Sequence, residues 1–210
     1  MNDGAHPVSG ETMTVRIWDP LVRIFHWSLV VAFVVAYVTH EDGFSTAHLA
    51  AGYVVAGLIV FRILWGFAGS RHARFADFVK GPRATLGYLR GLVARKAPHS
   101  LGHNPAGGAM VLVLLALLAV ISLTGWGMTT TAFYASETLE EIHETAVNLA
   151  LVAIALHLIG VAASSIAHRE NLVRAMITGK KRIDPSPDAM ARLKKHVPVA
   201  YALEVKPGKR

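Results

Sequence analysis

The sequence predicts an all-α membrane protein, a bundle of four transmembrane helices with both termini in the cytoplasm. Of the 210 residues, 53% are hydrophobic and 17% are charged, which lies outside the usual range for a soluble domain. Four segments without any charged residue are each long enough for the roughly 20 residues that span a bilayer. They lie between Arg23 and Glu41, Asp42 and Arg62, Lys96 and Glu137, and Glu144 and Arg169.

The four helices are expected near residues 22–40, 46–67, 107–128 and 139–167. The polar stretch "MNDGAHPVSGETMTVRIWDP" before the first of them lacks the short apolar region and small-residue cleavage site of a signal peptide. We therefore expect the first apolar run to be a retained helix. The expected organisation is an N-terminal tail over 1–15, a membrane domain over 16–180 and a cytoplasmic C-terminal tail over 181–210.

The positive charges predict how the helices are oriented. All 21 Lys and Arg residues fall on one side of the four-helix topology, and positively charged connections stay in the cytoplasm. The charged residues on the opposite side are all acidic, and these are Glu41, Asp42, Glu137, Glu140, Glu141 and Glu144. The basic residues flank spans and no nucleic-acid-binding fold is visible, so the pI near 9.9 reflects membrane orientation and does not indicate binding to nucleic acid.

The long cytoplasmic connection, from about 68 to 106, contains "GPRATLGYLRGLVAR". Its leucines fit either an amphipathic helix at the membrane interface or a polar loop with incidental leucines. His72, His99 and His103 in this connection are expected to be solvated, with a contribution to a quinone head-group site as the minor alternative.

Histidines at membrane depth need a special explanation, because a polar group within a span is costly unless it is paired or ligated. His143 and His157 are 14 residues apart, which places them about 40° apart on one helix face and roughly 21 Å apart along the axis. Two inward imidazoles at two depths are what two stacked metal or haem sites along a bundle require.

The alternating directions of the helices predict the partner of each histidine. His26 shares the inner depth with His157, and His48 shares the outer depth with His143. His40 also lies near the outer depth, so spacing alone leaves it as an alternative to His48. Cysteine is absent, which excludes the covalent attachment of c-type haem, and any haem is held without a covalent link.

Arginines near the inner depth are candidates to pair with haem propionates. Arg62 follows His48 by the same 14 residues, and Arg16 and Arg23 lie close to the start of the first span. The depth matching is imperfect, because His157 is 12 residues from Arg169 whereas His26 is only three from Arg23. Either the fourth helix extends into the cytoplasm or Arg23 reaches back to the interface.

Several short motifs together resemble the bacterial four-helix dihaem cytochromes b. They are "RIFHW" in the first span, "HLAAGYVVAGLIVFRILWG" in the second, "SLTGWGM" in the third and the two histidines of the fourth, within about residues 14–180. That family includes the b-type membrane subunits of nickel-iron hydrogenases and a small superoxide-oxidising cytochrome b. The resemblance implies two non-covalent haem b groups in a multi-pass protein of the bacterial inner membrane. It also implies axial ligation of the haem iron by His26, His48, His143 and His157, which favours His48 over His40. Glycines near these histidines, including Gly52 and Gly125, either leave room for a flat macrocycle or let helices approach closely.

The leading hypothesis is a cytochrome that passes single electrons between the quinone pool of the respiratory chain and a periplasmic partner, a c-type cytochrome or a hydrogenase. No catalytic residue is assigned under this hypothesis. One alternative is a stand-alone superoxide:quinone oxidoreductase, which the lack of Lys and Arg on the outer face disfavours. An alternative from another class is a histidine-based metal-ion transporter, which the lack of carboxylates deep in the spans disfavours.

Overall fold

The computed structural model describes residues 12–40, 45–70, 73–94, 96, 103–134, 136–183 and 204–206. The elements in chain order are β1 (Thr12–Arg16), α1 (Pro20–Val38), α2 (Thr46–Ala68), α3 (Phe75–Phe78), α4 (Pro82–Val93), α5 (Pro105–Met128), α6 (Glu137–His168), α7 (Leu172–Thr178), β2 (Lys180–Ile183) and β3 (Glu204–Lys206).

Helices α1, α2, α5 and α6 are long and apolar enough to cross a membrane, which confirms the all-α membrane bundle. Each begins directly after a residue whose side chain accepts a hydrogen bond from a backbone N–H of the first turn, and this satisfies donors that a helix leaves free. These capping residues are Asp19, Ser45, Asn104 and Ser136. Local capping chemistry therefore fixes where the spans start.

The four spans pack as a bundle in which α1 contacts α2, α2 contacts α5, and α5 contacts α6. Its centre contains Ala32 of α1, Val55 and Ile59 of α2, and Leu118 of α5, all of which are buried. Many apolar side chains face outward instead; Leu158, for example, is 61% exposed. Lipid tails are as apolar as these side chains, so outward-facing leucine and valine are suited to a bilayer.

Helix α6 has 32 residues and is therefore about 48 Å long, which exceeds a hydrocarbon core of about 30 Å. It has Glu137 and Glu140 in its first turn and ends at His168, and the next residue, Arg169, adopts a left-handed conformation with φ 52°. The excess length means that α6 extends beyond the hydrocarbon. A helix of this length is compatible with an extension on the Arg169 side, which is one of the two explanations that the sequence leaves open.

A small antiparallel sheet joins the segments outside the bundle. Strand β1, just before α1, lies between β2 and β3, with Met13 opposite Ile183 and Thr14 opposite Glu204. The sequence did not predict these strands, because they are short and charged and pair across almost the full length of the chain. The pairing places the segment before α1 and the segments after α7 on the same side of the bundle.

The connection between α2 and α5 contains a helix, α4, so the loop alternative was wrong, and the position of this helix at the membrane interface stays a prediction. Helix α4 packs against α5 and α6. It buries Tyr88, whose hydroxyl lies 3.4 Å from Nε2 of His168. Leu86, Leu89 and Val93 remain exposed, as expected of a helix at a membrane interface.

Candidate functional site

His48 and His143 face each other at one end of the bundle. This acidic end is the end where α2 and α6 begin, and it carries Glu137 and Glu140. The two imidazole ring centres are 6.3 Å apart, and the ring planes are inclined by 64°. Two imidazoles on opposite sides of one metal ion, each bonded at about 2 Å, have ring centres about 6 Å apart. The observed separation therefore fits a metal ion bound between the two rings.

Hydrogen bonds orient both of these rings. Nδ1 of His48 lies 2.9 Å from the carbonyl oxygen of Ala36 in α1, and Nδ1 of His143 lies 3.0 Å from Oγ1 of Thr124 in α5. A carbonyl oxygen only accepts, so Nδ1 of His48 carries the proton and donates it. Its Nε2 is left with a free lone pair. Metal-binding histidines almost always donate their second nitrogen in this way.

Gly125 provides the space that the His143 ring occupies. A Cβ atom at Gly125 would lie 3.1 Å from Cε1 and 3.5 Å from Nδ1 of His143. A carbon at the first of these distances is closer than ordinary van der Waals contact, so any side chain there would push the ring. Two roles were considered for this glycine, room for a flat macrocycle and close approach of helices. The contact with His143 of α6 is an instance of the second role.

His40, the alternative left open by spacing, is engaged elsewhere. Its Nδ1 lies 2.5 Å from the carbonyl oxygen of Tyr37, and its ring stacks on the Tyr37 ring with centres 5.4 Å apart. His40 therefore contacts the end of its own helix, whereas His48 faces His143.

His26 and His157, which the sequence predicts as the second pair, lie nearer the basic end of the bundle, the end where α1 begins and α6 finishes. Both are half-buried, and they are close enough to interact electrostatically. Nδ1 of His26 is buried without a hydrogen-bond partner in the part of the chain that the structure describes. A buried polar atom that lacks a partner is costly. If Nε2 of His26 bound a metal ion, that bond would hold the ring, and with it Nδ1, in this position.

Arg62 of α2 is only 2% exposed. Its guanidinium lies over the ring of Phe75 at 5.0 Å and over the ring of Phe78 at 5.6 Å, and Gly66 allows Phe75 to approach the helix closely. No described residue accepts a hydrogen bond from its Nη1. A buried cation is stable when it is paired with an anion, so this position fits a carboxylate supplied by a ligand.

The other two predicted arginines are placed differently. Nη1 of Arg23 donates to the carbonyl oxygen of Ile177 at 2.6 Å and lies against Gly179, so Arg23 attaches the start of α1 to the end of α7. Arg16 lies in strand β1, but its side chain is outside the described part of the structure.

The connection contributes one histidine whose surroundings the sequence did not predict. The His103 ring centre lies 4.7 Å from that of Trp18 and 4.6 Å from that of Phe78. The expectation of a solvated His103 was therefore wrong, because its aromatic neighbours are distant in sequence. His72 and His99 lie outside the described residues.

Comparisons with known proteins identify the family. Residues 17–179 match the family model described as prokaryotic cytochrome b561. A probable Ni/Fe-hydrogenase B-type cytochrome subunit of Bradyrhizobium diazoefficiens is 24% identical, over 80% of this chain and 86% of that protein. The protein of the same name from Azotobacter chroococcum is 26% identical, over 89% of this chain and 96% of that protein.

No solved structure gives a significant match. The family match covers all four spans, and it confirms the family resemblance seen in the sequence motifs. The chain belongs to the prokaryotic cytochrome b561 family and is a multi-pass b-type cytochrome of the bacterial inner membrane, which binds haem b and transfers electrons.

Proposed function

We propose that the chain binds two haem b groups, one at each end of the bundle. His48 and His143 are the axial ligands at the acidic end, and His26 and His157 are the axial ligands at the basic end. The observation that carries this proposal is the 6.3 Å separation of the His48 and His143 rings, together with the acceptors that hold Nδ1 of both. The 14-residue spacing on α6 supports a second pair at another depth.

Haem iron, when bound, supplies a reversible one-electron couple. The chain would contribute two histidines to hold each haem iron, and an iron held by both would have no ligand position open to oxygen. Arg62 offers its buried guanidinium to a haem propionate at the basic end, and its unpartnered Nη1 supports this role. Arg16 and Arg23 remain further candidates; Arg23 already donates one hydrogen bond to Ile177.

The proposed orientation places the basic end in the cytoplasm and the acidic end in the periplasm, following the positive-inside rule. Every Lys and Arg of the sequence lies at or near the basic end of the topology. Both termini are then cytoplasmic, with tails over 1–15 and 181–210 flanking a membrane domain over 16–180.

The proposed electron carriers are quinone in the membrane and a redox protein in the periplasm. The similar proteins are named as hydrogenase cytochrome subunits, which supports a membrane-bound hydrogenase as the partner. A basic c-type cytochrome is the other candidate, because the acidic end favours a partner with a positive surface.

Two alternatives have weaker support. Superoxide is an anion, and the carboxylates of the acidic end repel it. A metal-ion transporter needs clusters of ligands along its path, and no group of three or more His, Asp or Glu residues suited to a metal ion occurs within the described ranges. A kinetic assay with superoxide and quinone, and without any partner protein, distinguishes the first alternative from the proposed function.

The decisive experiment is the absorption spectrum and haem content of the purified full-length protein. We expect reduced α bands of b type and two haems per chain. His143→Ala and His157→Ala should each reduce the content to one haem, with a different band lost in each variant. Two haems retained in either variant would refute the ligand assignment, and a colourless folded protein would refute the proposed function.

A further inference from the structure

The two histidine pairs differ in what holds their second nitrogen. At the acidic end, Nδ1 of His48 donates to the Ala36 carbonyl and Nδ1 of His143 contacts the Thr124 hydroxyl. At the basic end, neither His26 nor His157 makes a hydrogen bond to any residue that the structure describes, and Nδ1 of His26 is buried. The pairs therefore offer a metal ion imidazoles of different electron-donating strength.

Thr124 is arranged to accept a hydrogen bond from His143. It is buried in α5, with 8% of its surface exposed. Its Oγ1 lies 2.8 Å from the Val120 carbonyl oxygen and 3.1 Å from that of Ile121. Carbonyl oxygens only accept, so the hydroxyl proton is committed to the helix backbone. The lone pairs of Oγ1 remain free for the N–H of His143 at 3.0 Å.

An imidazole that donates its N–H to a strong acceptor becomes a more basic ligand. A more basic ligand stabilises the oxidised iron relative to the reduced iron, because the oxidised iron carries the greater positive charge. A buried cation such as Arg62 has the opposite effect, since it favours the less positive state. Arg62 lies 14 residues from His48, about 40° around α2 and toward the basic end.

We propose that Thr124 is a positioning residue for His143 that lowers the reduction potential of the haem at the acidic end, so that this haem has the lower potential of the two. The inference rests on the proposed function, because it requires a haem at each histidine pair. It also gives a role to the "SLTGWGM" segment, which carries no ligand itself. The resulting order of potentials favours electron movement from the acidic end to the basic end.

The first test is spectroelectrochemical titration of the purified holoprotein and its Thr124 variants. Thr124→Val keeps the shape of the side chain but removes the acceptor, so the midpoint potential of one haem should rise. Loss of one hydrogen bond should change the ratio of reduced to oxidised haem at a fixed potential by up to about tenfold. Thr124→Ser keeps the hydroxyl and should titrate like the wild type.

Ser122 offers a matched control on the same helix. Its hydroxyl is buried two residues before Thr124 and has no hydrogen-bond partner among the described residues. Ser122→Ala should therefore leave both potentials unchanged. Equal shifts in Thr124→Val and Ser122→Ala would overturn the proposal, because they would reflect a general effect of removing polar groups from α5.

A second test avoids any change at Thr124 and decides the matter if Thr124→Val fails to retain haem. His26→Ala should keep only the haem at the acidic end, and that haem should titrate at the lower of the two wild-type potentials. Titration at the higher potential would overturn the proposal. A purified protein without two haems would refute the proposed function as well, whereas two haems with unchanged potentials in Thr124→Val would refute this inference alone.

Discussion

Replacing Gly125 with alanine should weaken haem binding at one end of the bundle and spare the other. The added Cβ would lie 3.1 Å from Cε1 of His143, so the ring has to move by a few tenths of an ångström. Thr124 holds Nδ1 on one side of this ring, and a bound iron would hold its other nitrogen. The ring therefore has little freedom to move without weakening one of these bonds.

The size of the effect follows from two opposing terms. Alanine in place of glycine stabilises a helix interior by about 1 kcal/mol, whereas overpacking costs about 1–3 kcal/mol. Gly57→Ala supplies the matched control. Gly57 lies nine residues after His48, on the opposite face of α2, and a Cβ there would have no described atom within 4 Å. Because both variants share the helix term, only the overpacking term separates them. The affinity for one haem should differ by about 5-fold to about 150-fold.

The assay is the haem-to-protein ratio of each purified variant, measured from the reduced α bands during haem extraction. Gly125→Ala should lose the band that His143→Ala also loses, and Gly57→Ala should behave as the wild type. If Gly125→Ala kept both haems with wild-type affinity and potential, the close packing of this glycine against a ligating imidazole would be the wrong explanation.

Three further predictions concern the remaining features of the structure. Arg62→Met should raise the free energy of unfolding of the haem-free protein by about 1–3 kcal/mol, because it removes a buried cation that has no anionic partner, yet it should weaken haem binding. Unfolding experiments with and without haem measure both effects. Equal changes in the free energy of unfolding of the two forms would contradict pairing with a propionate. His40→Ala should retain both haem bands while His48→Ala loses one, which spectra of the two variants will show; the reverse result would make His40 the ligand. Lys181→Met should loosen β2, because the Lys181–Glu170 ion pair at 3.1 Å is largely buried and breaking such a pair costs about 3–5 kcal/mol; hydrogen exchange in β2 measures this, and an unchanged haem spectrum is the control.

The spans were predictable because hydrophobicity and capping act locally. The expected starts near 22, 46, 107 and 139 lie within two residues of the observed Pro20, Thr46, Pro105 and Glu137. A proline or a capping side chain at each start gives a signal that depends only on neighbouring residues.

The sheet and the aromatic surroundings of His103 were not predictable, because they depend on contacts between distant parts of the chain. Strand β1 pairs with residues that follow it by more than 160 positions. Its five residues alternate between polar and apolar side chains, which is a local strand signal, but nothing near them in sequence identifies the strands with which they pair. Trp18, Phe78 and His103 likewise meet only after the connection has folded against the start of α1.

The histidine pairs were predicted from α1, α2 and α6 alone, whereas the observed position of the His143 ring also depends on α5. Spacing and chain direction assign every candidate ligand to α1, α2 or α6 and place none on α5. In the structure, α5 supplies both the hydroxyl that faces Nδ1 of His143 and the glycine against which that ring lies. Thr124 and Gly125 are adjacent in sequence, and one orients the ring while the other leaves room for it. Helix α5 contains no histidine, yet it helps to determine the geometry of the acidic-end site. A search for metal-ligating residue types alone therefore finds the candidate ligands but not the residues that position them.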